Sequence, residues 1–267
     1  MFDQSIYMTN SLEELRSGNA TRQAEALLKL VDDEVYEAVP DILPLLNSPE
    51  TAIRSSAAYA LGYLGIDQVK TVGFALMNRL NDPEEIVRSD VIEALGALQY
   101  IEAITQIKCK LINDPSALVR ASAAEALGEL GEPEAIETLE KSLLKLDEDE
   151  AVRAYAANSI GLLGSDLILP KLKIYLQYFE KSIKIKAELL GAIYYLGAKE
   201  ALQQLIGLLD DADENLAIAI LNILTDLKDR TNLDQLLQDA PEMESKLKNI
   251  SQKMPILITH KKQILTA

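Results

Sequence analysis

Side chains able to do chemistry are few in this sequence, and they are scattered. Its single histidine, His260, precedes Lys261-Lys262 near the C-terminus, and its single cysteine, Cys109, sits between Lys108 and Lys110. A transition metal or cluster needs several imidazole, thiolate or carboxylate ligands converging on it, so neither residue builds a metal site alone. Flanking cations lower a thiol pKa where the sulfur is exposed, which would make Cys109 reactive; the expectation is instead an inert, partly buried helix residue, and for His260 a solvated tail position. The acidic groups Asp32-Asp33-Glu34, Asp147-Glu148-Asp149-Glu150 and Asp210 to Glu214 lack the spacing and turn glycine of a calcium loop. They suit solvated turns along one edge, or a docking rim for a basic partner. No glycine-rich phosphate loop is present. Neither catalytic nor metal-binding residues are therefore expected.

One stretch, Leu169 to Lys186, gathers five lysines and three aromatics in a chain of net charge −16. Lys171, Lys173, Tyr175, Tyr178, Lys181 and Lys184 form a candidate patch. Basic residues among aromatics can hold nucleic acid, but the acidic total and the lack of arginine forks speak against it. An acidic protein partner suits the patch better, with simple helix solubilisation as the plainer account. The composition, 48% hydrophobic and 25% charged without tryptophan, is that of a folded soluble protein. A lone cysteine excludes an internal disulfide. The N-terminus lacks the basic-then-apolar order of a secretory signal, and no window approaches 18 uncharged apolar residues. A cytoplasmic protein without a membrane span is expected.

What must position these residues is a repeat. PETAIRSSAAYALGYLG, PEEIVRSDVIEALGALQ, PSALVRASAAEALGELG, DEAVRAYAANSIGLLG and KSIKIKAELLGAIYYLG share one pattern. Their basic anchors, Arg54, Arg88, Arg120, Arg153 and Lys186, are spaced by 34, 32, 33 and 33 residues. Such a period marks stacked supersecondary units that bury their apolar faces only against neighbours. In the best-formed unit Asp114 reads as an N-cap with Pro115 at the first helical position, and Gly131 as the left-handed stop. Gly65, Gly164 and Gly197 repeat the stop. The buried set reads Ile53, Ala57, Ala60, Leu61, Leu64, then Val87, Val91, Ala94, Leu95, Leu98, then Val119, Ala123, Ala126, Leu127, Leu130. In the second helix Ile136, Leu139, Leu143 and Leu144 make one stripe. Degenerate units extend the array, with Ala20 in the anchor position upstream and residues 221–227 downstream. About seven helical pairs are expected, residues 1–240 forming the array with an atypical N-terminal cap and 241–267 a capping segment or tail containing Ile256-Leu257-Ile258.

The pattern D-P-x-x-x-V-R-x-x-A-A-x-A-L-G-x-L-G followed by an amphipathic helix resembles the short HEAT-like repeat of the phycobilin lyase type, known from cyanobacteria and red algae. The resemblance covers roughly residues 20–240. It implies an all-α, right-handed α-solenoid of about seven helical hairpins, and a cyanobacterial source. It also implies that Arg54, Arg88, Arg120 and Arg153 are structural anchors pairing with acidic residues of the neighbouring unit; a basic row gripping an anion is the rival reading. Iron-dependent hydroxylases of the family use repeated His-Glu pairs, which a chain with one histidine cannot supply. In such solenoids the small-residue helices line the concave side. Five and nine residues after each anchor, that stripe carries Tyr59 and Tyr63, Glu93 and Ala97, Glu125 and Glu129, Asn158 and Leu162, Gly191 and Tyr195, with Tyr155 and Tyr194 nearby. Tyrosines there either supply partner-binding area or pack on neighbouring helices with wet hydroxyls.

These features favour a non-enzymatic scaffold that holds another protein on its concave surface, in assembly, maturation or turnover of a cofactor-bearing complex, with no cofactor of its own. The alternative is a lyase-type enzyme or subunit that attaches a bilin to, or removes it from, a phycobiliprotein cysteine. The resemblance also leaves open a partnership with iron–sulfur assembly proteins. The sequence assigns no oligomeric state.

Overall fold

A computed structural model describes residues 11–165, 167–254 and Ile264 of the chain. His260 and the Ile256-Leu257-Ile258 run lie outside the described residues. Every regular element among those described is helical. After a short helix, α1, at residues 11–15, the elements fall into pairs. The first members are α2 (Ala20–Asp32), α4 (Thr51–Leu64), α6 (Glu85–Ala97), α8 (Ala117–Glu129), α10 (Glu150–Leu163), α12 (Ile183–Tyr195) and α14 (Glu214–Arg230). Their partners are α3 (Val39–Ile42, flanked by 3-10 turns), α5 (Val69–Met77), α7 (Ile104–Asn113), α9 (Ile136–Leu144), α11 (Leu169–Tyr178), α13 (Glu200–Gly207) and α15 (Leu233–Asp239). A last helix, α16 (Met243–Lys253), follows. The chain thus divides into helical hairpins, the architecture of an α-solenoid.

Two compact units are present, separated after Thr138. In the first, α2, α4, α6 and α8 lie side by side in chain order. In the second, α12 packs between α10 and α14. The reason is the alanine-rich face. Ile53, Ala57, Ala60, Leu61 and Leu64 are buried, as are their equivalents in α6 and α8, so the sequence register of the core is the observed one. Glycine sets the spacing. A Cβ on Gly62 would lie 3.0 Å from Ala94 Cα, one on Gly96 3.2 Å from Ala126 Cα, and one on Gly161 2.8 Å from Ala192 Cα. Each glycine stands eight residues after its anchor and meets the alanine six after the next, which lets helix axes approach closely.

The anchors tie the loops. Arg54 donates through Nε and Nη2 to Asp82 at 2.8 and 2.9 Å, and through Nη1 to the carbonyls of Ser48 and Pro49. Arg88 repeats the fork on Asp114, at 2.9 and 2.8 Å, and reaches the carbonyls of Asp82 and Pro83. Arg120 donates to the carbonyls of Asp114 and Pro115. Each guanidinium therefore clamps the loop entering its own helix, and the first two also take the aspartate that opens the following repeat. In the second unit the Asp-Pro start is missing, and Arg153 instead donates to the Leu143 carbonyl and lies 4.7 Å from the centre of the Phe179 ring.

Several local expectations need correction. Asp114 is not the N-cap and Pro115 is not helical: α8 begins at Ala117, and Asp114 Oδ1 accepts instead from the Ser116 N–H. Only Gly131 (φ 74°) and Gly197 (φ 97°) of the repeat-ending glycines take the left-handed conformation. Gly65 and Gly164 end their helices at negative φ. Gln99 takes the left-handed position in its own unit, φ 53°, held by bonds from its amide to the carbonyls of Gly96 and Glu129. In α9, Leu144 is exposed and Ser142 is the buried neighbour of Leu143, because the stripe turns away at the helix end.

Candidate functional site

In the first unit the stripe residues converge on one groove. Its floor is made by Gly62, Ala94, Ala97 and Ala126, the small residues that close helix packing requires. Its walls carry Tyr59 and Tyr63 from α4, Asp90 and Glu93 from α6, and Glu125 and Glu129 from α8, around a volume of about 180 Å³. The two phenol rings lie 4.8 Å apart, tilted by 46°, and remain 44% and 56% exposed. A second cavity of about 240 Å³ shares Tyr59 and Asp90 and continues onto Leu27, Leu28, Ser55 and Ser56. Together they form a trough across α2, α4, α6 and α8.

The groove's carboxylates are positioned, not loose. Ser122 Oγ donates to Glu93 Oε1 at 2.7 Å, and the Ser89 and Ser122 hydroxyl oxygens are 2.7 Å apart. Ser55 Oγ donates to Asp90 Oδ2. Burial raises the Asp90 carboxyl pKa; Glu93 adds to the rise and the Ser55 hydroxyl opposes it. Asp90 was not among the sequence candidates. Its signal was available: two residues after the anchor the other repeats place Ser56, Ser122, Tyr155 and Glu188, so among the anchored repeats α6 and α12 carry a carboxylate there.

The second unit brings together a different subset. Asn158, Leu162, Gly191 and Tyr195 line a small cavity with Ile223, Asp226 and Arg230. Asn158 Nδ2 donates to Glu188 Oε2 at 3.0 Å, and the Arg230 guanidinium lies 5.9 Å from the Tyr195 ring centre. Tyr155 is on the exposed side of α10. Tyr194 is not a surface residue. It is buried and donates its hydroxyl to Asp239 Oδ2 at 3.0 Å, with burial and then that carboxylate raising its pKa. Tyr194 stands eight residues after Lys186, the position held by the spacing glycine in the other four anchored repeats, and so it points between helices.

The lysine-aromatic patch also changes character. Tyr175 is buried and donates to Glu140 Oε1 at 3.1 Å. Lys171 donates to Glu140 Oε2 at 2.7 Å, Lys173 pairs with Glu200 at 3.3 Å and Lys184 with Glu150 at 3.9 Å. Tyr178 stays exposed, edge-on to Phe179, and Lys181 is exposed beside them. Glutamates thus offset most of the local positive charge. Cys109 is exposed on α7 rather than partly buried, its sulfur accepting from Asn113 Nδ2 at 3.5 Å. Among the described residues no helix is long and apolar enough to cross a membrane. No group of three or more His, Cys, Asp or Glu among them is placed to hold a metal.

Paired helices stacked through alanine and glycine, with a groove across first members of the N-terminal unit, define an α-solenoid. The chain belongs to the HEAT-repeat family, whose pattern matches residues 10–96, 70–161 and 105–178. No curated protein matches it. Among solved structures it is similar in fold to the complex of CpcE and CpcF of phycocyanin lyase from Nostoc sp. PCC7120. The TM-score is 0.60 and the identity 19%, over 85% of this chain and 94% of that one. It is also similar to Kap121p, with TM-score 0.57 and 18% identity, over 90% of this chain but 27% of that one. At these identities the likeness is one of fold.

Proposed function

We propose that this chain is a non-catalytic adaptor that holds a partner protein in the trough across α2, α4, α6 and α8, serving assembly, maturation or turnover of a cofactor-bearing complex. The observation that carries this reading is the exposed Tyr59–Tyr63 pair beside a floor of glycine and alanine. Large aromatic area at low entropic cost, next to a shallow floor, is what a protein contact uses. Affinity capture from the native organism tests it. A stoichiometric partner that is retained by the wild-type chain and lost by Tyr59→Ala/Tyr63→Ala supports the adaptor; a partner retained equally by both places the contact elsewhere.

A second reading, a bilin lyase or lyase subunit, is favoured by the likeness in fold to the CpcE–CpcF complex. Co-expression with a bilin and an apo-antenna subunit decides it. A covalently coloured product supports lyase action, and a colourless outcome with every component folded dismisses it.

A further inference from the structure

The trough has a chemical polarity that an adaptor role alone does not assign. Resting on that adaptor reading, we propose that the segment it takes from its partner is basic, an arginine or lysine laid on the Tyr59–Tyr63 rings with its cation among Asp90, Glu93, Glu125 and Glu129. The ring pair carries the argument first. Two phenol faces, 4.8 Å apart and about half exposed, flank the cavity, and a guanidinium or ammonium over such a face is attracted by the ring quadrupole.

Charge complementarity carries it next. The cavity that holds the rings is lined by four carboxylates and no basic residue. An acidic or wholly apolar occupant would strip water from those carboxylates without replacing it. A cation on a long apolar stem satisfies both walls, its methylenes against Gly62 and Ala94 and its charge at the acids. The adjoining cavity, with exposed Leu28 beside Tyr59, accepts an apolar side chain next to the basic one. A net charge of −16 steers such a segment from a distance.

The test uses the full chain and three fluorescein-labelled synthetic peptides of equal length, alternating Leu with Arg, Gln or Glu, read by fluorescence anisotropy. The Leu-Arg peptide is expected to bind, and to weaken at least about tenfold in both Tyr59→Ala/Tyr63→Ala and Glu93→Gln/Glu125→Gln. Glu102→Gln/Asp211→Asn removes the same charge elsewhere and is expected to change affinity by less than about twofold. Circular dichroism establishes that each variant is folded. Equal binding of the Leu-Gln peptide, or equal loss in the control variant, overturns the proposal. The two readings separate cleanly. A captured partner that depends on Tyr59 and Tyr63, with no groove-dependent binding of the Leu-Arg peptide, removes the basic occupant and leaves the adaptor standing. Groove-dependent binding of the peptide, with a captured partner indifferent to those tyrosines, supports the basic site and removes the adaptor assignment.

Discussion

Arg88 and Asp114 illustrate how one residue pair serves two repeats. Both side chains are almost fully buried, and the aspartate also receives the Ser116 N–H and Lys110. Burial pushes the Asp114 carboxyl up, but Arg88, the Ser116 amide and Lys110 more than offset it and hold it below the usual carboxylate range. Arg88→Ala leaves that carboxylate buried without its fork, and is expected to cost about 3–5 kcal/mol in urea unfolding at pH 7. A depressed native pKa stabilises above the unfolded value and is lost as pH falls through the native one. The wild type therefore loses stability below about pH 4, and Arg88→Ala shows a flatter profile there. Asp90 has the opposite sign. Its raised native pKa favours the folded state most at pH below the unfolded value, and that advantage is lost as pH rises through the native value. Asp90→Asn keeps an acceptor for Ser55 and is expected to raise Tm by about 2 °C at pH 7, a gain that fades toward pH 3. The same change removes a carboxylate from the groove, so stability would rise as binding of a basic segment falls.

At the level of helices, the decisive contacts are between backbone and backbone. Gly161→Ala improves helix propensity by about 1 kcal/mol, yet its new methyl runs into Ala192 of α12. Overpacking there costs about 1–3 kcal/mol, so the variant is expected to melt lower than wild type. Gly207→Ala, at the end of α13 with no atom within 4 Å of the added Cβ, is expected to melt higher by about 0.5–1 kcal/mol of stability. Differential scanning calorimetry of the two variants checks both signs. The core was readable from the chain, because alanine and leucine recur at fixed offsets from each anchor; the spacing role of Gly62, Gly96 and Gly161 shows only in the packed helices. The caps are less legible. Asp-Pro mimics an N-cap in sequence, but the arginine fork draws Asp114 away and the helix begins later. Tyr194 resembles the surface tyrosines in residue type, but burial follows register, and its register is that of the spacing glycines. Tyr175 and the lysines resemble a patch in sequence because their glutamate partners, Glu140, Glu150 and Glu200, lie 27 to 35 positions away and meet them only through folding.

For the molecule as a whole, stability is carried by nearest neighbours. An array of hairpins has no central core, so each inner helix is protected by the helix on either side and an outer one by fewer. In the first unit α4 lies between α2 and α6, and α6 between α4 and α8. Native-state hydrogen exchange is therefore expected to be slowest in α4 and α6 and faster in α2, and in the second unit slowest in α12. Arg88→Ala removes the clamp on the loops before α6 and α8, and should speed exchange in α4, α6 and α8 while leaving α14 at its wild-type rate. A uniform acceleration across all helices would instead mean that the chain opens as one cooperative body, and the groove could not then loosen without the rest. The distinction bears on function, because a trough built from locally stable hairpins can adjust to its occupant one repeat at a time.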